Sequence, residues 1–136
     1  MPKRFVAIAI ALLLNGRTAY AAECLFYEPA TSTISGVAHV MHGYGPPGFG
    51  ESPDTDEKTV YLIVDLDHPT CLKGGDGEPN EDMANVRQIE LLPQEGKIDQ
   101  NLDGQHINAT GKLTMHIIDT GSPAAVAMYA IGIGKD

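Results

Sequence analysis

Thr59-Val60-Tyr61-Leu62-Ile63-Val64-Asp65-Leu66, the run TVYLIVDL, decides how this chain is read. β-Branched and aromatic residues dominate it, and they favour a pleated strand. It is apolar on both faces for much of its length, the pattern of a well-buried strand. Pro69 is expected to end the region, because proline donates no ladder hydrogen bond. Upstream, residues 43–57 (GYGPPGFGESPDTDE) form a loop of Gly, Pro and acids carrying two aromatics, Tyr44 and Phe49. Before it, residues 33–41 (TISGVAHVM) read as a first strand.

Downstream, residues 72–82 (LKGGDGEPNED) form an acidic, turn-rich loop. Residues 84–92 (ANVRQIELL) read as a third strand, although Val86 and Ile89 break strict alternation and ask for a bulge. A short helix is placed within 93–102, between the third and fourth strands. Residues 106–118 alternate, with Ile107, Ala109, Gly111, Leu113, Met115 and Ile117 on one face. A fifth strand over 123–133 places Ala125, Ala127, Tyr129, Ile131 and Ile133 on a shared face. Five strands with one short helix fit an all-β, OB-like Greek-key barrel. An open sandwich or meander shares the same pattern. Gly36 and Gly111 fall inside strands, where small barrels bend sharply. Val60, Leu62, Val64, Leu113, Met115 and Ile117 are expected to share one core.

The chain has 136 residues, one domain rather than two. Residues 1–21 (MPKRFVAIAIALLLNGRTAYA) have a basic front, an apolar run from Phe5 to Leu14, and Ala19 and Ala21 at the spacing signal peptidase requires. They read as a secretory signal peptide, leaving a single domain over 22–136. Glu23 stands before Cys24 where lipoprotein processing wants a small residue, so no lipid anchor is expected. The body holds no apolar run long enough to span a bilayer as a helix. Cys24 and Cys71 are the only cysteines, and an even count in an exported chain points to a disulfide.

The segment after residue 21 keeps six basic and eighteen acidic residues, a net charge of −12. Phosphate contacts need Lys and Arg, so nucleic acid is disfavoured as a partner. A cationic protein or a metal ion suits this field better. Asp76, Glu78, Glu81 and Asp82 offer oxygen ligands for calcium but lack the twelve-residue EF-hand pattern. A solvated acidic loop is the plainer reading of them. His39, His42, Asp65, Asp67 and His68 do not converge in strand geometry. Ser52 and Ser122 have no local base, and no G-x-S-x-G or H-E-x-x-H motif occurs. No catalytic residue and no cofactor are expected, and the chain reads as a non-enzyme.

Cys24-Leu25-Phe26-Tyr27-Glu28-Pro29, Gly36, Gly45-Pro46-Pro47, Glu51-Ser52, VYLIVDL, Pro69, Cys71 and Gly74 occur in this order. NVRQIEL (85–91) and DGQHINATGKL (103–113) follow. Together they resemble the family of exported bacterial domains of unknown function numbered 4431, over nearly all of residues 22–136. The resemblance implies a periplasmic or secreted Gram-negative domain with a small OB-like barrel and no characterised activity. Gly48 and Phe49 stand where the family tends to have asparagine and tyrosine. His116 alone remains of a histidine-rich turn between the last two strands.

The expected function is a non-enzymatic periplasmic binding module, with a cationic protein as partner. Tyr44, Pro46, Pro47, Phe49 and Glu51 form its contact loop: the prolines limit backbone freedom, the aromatics anchor, and Glu51 adds charge. Aromatics that merely cover the barrel end are the plainer alternative. A small-ligand or cell-wall-glycan binding domain, and more distantly a weak hydrolase, are the other readings.

Overall fold

The computed structural model describes residues 23–74, 80–116 and 121–136. The signal-peptide reading of 1–21, the calcium candidates Asp76 and Glu78, and the core candidate Ile117 lie outside them. Among the described residues there are six strands: β1 (Leu25–Phe26), β2 (Ser32–Tyr44), β3 (Lys58–Lys73), β4 (Met83–Pro93), β5 (His106–Met115) and β6 (Val126–Lys135).

β2 runs antiparallel to β3, with Val40 opposite Leu62, and antiparallel to β5, with Ile34 opposite Ala109. β3 pairs antiparallel with β4 at Val64 and Ile89. β4 pairs parallel with β6 at Leu91 and Met128, and β6 returns antiparallel to β5. The β3–β4 pairing closes the ring. The molecule is therefore a closed, five-stranded OB-like barrel, to which β1 adds a short parallel strand at Leu72 of β3. Gly36 and Gly111 sit where backbones nearly touch. A Cβ on Gly36 would lie 2.1 Å from the Asp65 carbonyl oxygen, and one on Gly111 would lie 2.2 Å from that of Tyr129.

The barrel core holds Leu62, Val64, Ile89, Leu91, Leu113 and Met128 with their neighbours, and Met115 packs against it. Val60 does not join it and is half-buried beyond its margin. The other face of β3 is buried too, where Tyr61 and Ile63 form a second cluster with Ala124. Tyr27 enters the core from the segment after β1, and its hydroxyl donates to the Glu81 carbonyl at 3.0 Å. Burial, then the neighbouring acids Asp82 and Glu81, push the Tyr27 phenol above its ordinary pKa.

The short helix placed within 93–102 is a single 3-10 turn, Gln100–Leu102, capped by Asp99 and set on the core by Leu102. Two readings need correction. Pro69 does not end β3: the register slips between Asp65 and Thr70, and the bulge carries the strand on to Lys73. In β6, Val126, Met128 and Ala130 are buried, whereas Tyr129 and Ile131 are exposed. A bulge opposite Thr110 and Gly111 then flips the phase, and Ile133 returns to the core. The irregularity that Val86 and Ile89 demanded is present, and both are buried.

Cys24 and Cys71 are bonded, with Cα atoms 4.6 Å apart and a sequence separation of 47. The bond fastens β1 beside the end of β3. Replacing both cysteines by serine should lower unfolding free energy by about 2–4 kcal/mol, chiefly by freeing the unfolded chain. Urea unfolding of the oxidised protein and the double variant measures the difference.

Candidate contact loop

The loop between β2 and β3 is built around one carboxylate. Asp56 Oδ1 accepts from the Gly48 amide at 2.8 Å, and Oδ2 accepts from the amides of Gly50 at 2.8 Å and Ser52 at 3.0 Å. The residue is only 7% exposed. Burial opposes its charge, but the three amide donors outweigh that and hold the carboxyl below its ordinary pKa. At the stem, the Gly45 amide donates to the Glu57 carbonyl and the Glu57 amide to the Pro46 carbonyl. The Pro46–Pro47 peptide is cis.

This frame presents the residues that the sequence singled out. Phe49 has φ 50°, a left-handed conformation that bulky side chains seldom adopt, and is 40% exposed. Pro46, Pro47 and Glu51 are exposed, as are Asp54 and Glu57. Tyr44 is half-buried and belongs to the base of the loop rather than its tip.

Gly121, ahead of β6, abuts this loop. At φ 73° it has no room for a side chain: its Cβ would lie 2.8 Å from Tyr61 Oη, 3.0 Å from the Tyr44 carbonyl oxygen and 3.2 Å from Phe49 Cδ1. His116 ties the end of β5 to the residues ahead of β6. Its amide donates to the Ala125 carbonyl, and its Nε2 lies 2.9 Å from Oε2 of the buried Glu90. His116 thus has a structural role on the outer face of β4.

The other singled-out groups are dispersed. Asp82 is engaged by Lys73 Nζ at 2.9 Å and the Gly74 amide at 2.8 Å, and these two hold its carboxyl below the ordinary range. Glu81 is exposed and gives its backbone carbonyl to Tyr27. Among the described residues, no three His, Cys, Asp or Glu side chains are grouped to hold a metal ion. His39 pairs with Asp65 at 3.2 Å. His106 is clamped between Asp67, 2.9 Å from Nε2, and Asp136, 2.5 Å from Nδ1. Those two hydrogen bonds raise its pKa.

Asp56 was not singled out from the sequence. Its signal is the spacing Gly48-x-Gly50-x-Ser52 ahead of an acid, which supplies three close amides to one carboxylate. Asp56→Asn keeps one acceptor and turns an NH₂ toward the remaining amides. Hydrogen exchange at Gly50 and Ser52 should then quicken about tenfold or more, with the barrel amides unchanged. In the unmodified protein, the stabilisation from Asp56 is present above the ordinary carboxyl pKa. It is lost as pH falls through the lowered value, and exchange measured against pH reads this directly.

His106 has the opposite sign. Its stabilisation is full below the ordinary histidine pKa near 6.5 and is lost as pH rises through the raised value. An NMR titration should place its midpoint above 6.5, and Asp67→Asn should move that midpoint down.

No family model matches the chain, and neither a curated protein nor a solved structure is found similar to it.

Proposed function

We propose that the protein is a non-enzymatic interaction module of the Gram-negative periplasm that contacts a cationic protein through the loop over residues 45–57. The observation that carries this reading is Phe49: an exposed aromatic in a left-handed conformation on a loop ordered by a buried carboxylate. Conformations of this kind persist where surrounding structure over-determines them, and they cluster at binding sites. A loop ordered before binding loses less entropy on association. Glu51, Asp54 and Glu57, all exposed, follow Phe49 in the same loop, with Lys58 the nearest base along the chain. An apolar centre with an acidic rim complements a basic surface and speeds its encounter.

The leader-like residues 1–21 and the Cys24–Cys71 bond, which suits an oxidising environment, support this compartment. The resemblance to the exported family agrees with that location.

Affinity capture from periplasmic extract tests the reading, with the unmodified protein beside Phe49→Ala and Glu51→Gln. Phe49 is the better probe than Tyr44, whose half-buried ring supports the loop. A basic protein should be retained by the unmodified chain, released by raised salt, and weakened about tenfold or more by Phe49→Ala. Equal recovery by all three proteins would remove the loop from the contact.

A further inference from the structure

A groove of about 520 Å³ lies on the β3–β4 side of the barrel, walled on its far side by the start of β6 and the residues before it. β4 pairs with β3 from Met83 onward but with β6 only from Glu90, so the two strands diverge and leave the opening. Leu66, Met83, Val86, Pro123, Ala124 and Val126 give it an apolar lining. Such a size falls within the roughly 300–1,000 Å³ of ordinary ligand clefts.

Two polar groups in it are unused. Arg87 and Asn85 line the groove, are exposed, and have no side-chain hydrogen bond or ion pair among the described residues. Asn85 also has φ 57°, a second left-handed residue in a strand that is otherwise extended. Arg87 is one of only six bases after residue 21, and a guanidinium fork matches a carboxylate in two parallel hydrogen bonds. The groove also contains an acid, Asp65, which is half-exposed and engaged by His39 and by Gln88 Nε2 at 2.7 Å.

The ligand's chemistry follows from this placement. A plain anion is disfavoured by the acidic surface around the site. A molecule whose carboxylate is accompanied by positive charge satisfies both the cation at Arg87 and the acid at Asp65. Among the described residues no aromatic ring lines the groove, so they offer no platform on which sugars and bases stack. Small and medium apolar side chains suit the lining instead. We infer that this groove binds a short zwitterionic peptide by its free C-terminal carboxylate, which Arg87 receives. The inference is independent of the loop reading, since Phe49 and Glu51 do not line the groove.

The probe is a synthetic tetrapeptide of one lysine followed by three alanines, with a free C-terminus. It is titrated into the full domain and followed by the amide shifts of Asn85, Arg87 and Ala124. Its C-terminal amide and glucuronic acid are titrated in parallel. The free-acid peptide should shift these three amides saturably. The amide form and the Arg87→Gln protein should each weaken binding about tenfold or more, the loss of a charge-assisted pair. Phe49→Ala should leave the titration unchanged. Binding that survives amidation or Arg87→Gln would overturn the inference, as would no saturable shift with the peptide. Glucuronic acid binding more tightly than the peptide would overturn the assignment to a peptide.

Discussion

Burial of β3 on both faces is the constraint from which the rest of the arrangement follows. Leu62 and Val64 point into the barrel, while Tyr61 and Ile63 are buried on its outside with Ala124. Each such side chain stabilises the fold by about 1.5–3 kcal/mol when removed from water. A strand with this composition requires cover on its outer face, and Ala124, just ahead of β6, packs there. That requirement brings Gly121 against Tyr44 and Phe49 and sets Pro123 and Ala124 along the groove beside β4. The contact loop and the groove therefore share one supporting wall.

The acidic composition divides into two parts. Asp56 accepts three backbone amides, Asp99 caps the 3-10 turn through the Asn101 amide, and Asp82 receives Lys73 and Gly74. In all three the carboxyl is held below its ordinary pKa by hydrogen bonding. These acids organise turns in a chain rich in Gly and Pro, where amides lack ladder partners. Glu51, Asp54 and Glu57 are exposed and have no such internal task to explain their position. Net charge alone does not separate the two kinds.

Much of the barrel was legible. TVYLIVDL announced a strand apolar on both sides, and Gly36 and Gly111 marked close approaches that only glycine permits. The misreadings share one cause: a bulge changes phase without leaving a trace in composition. Pro69 looked terminal because the bulge between Asp65 and Thr70, which tolerates it, depends on pairing with β4. Ile133 was placed on one face with Tyr129 and Ile131 because the two-residue period of β6 was counted through an interruption set by β5. In the candidate loop, Phe49 and Glu51 were singled out from aromatic and charge content. The carboxylate that holds them was not, because a buried acid among surface acids looks like the others. Arg87 escaped for a similar reason, since what sets it apart is the lack of an ion pair among the described residues, which only the fold determines.

Closure of the ring also bears on how copies of this protein meet. A strand left at the rim of an open sheet is a template for another molecule's strand, and proteins rich in β-structure aggregate through such rims. Here β3 is bonded to β4 and the five long strands form a cycle, so the ladder returns to its start. The stretch of β4 ahead of Glu90, where β6 has not yet joined, departs from this closure. Asn85 turns left-handed within that stretch and breaks the flat, extended geometry that an incoming strand needs. A left-handed residue that lines the groove thus also makes this edge a poorer template for an incoming strand.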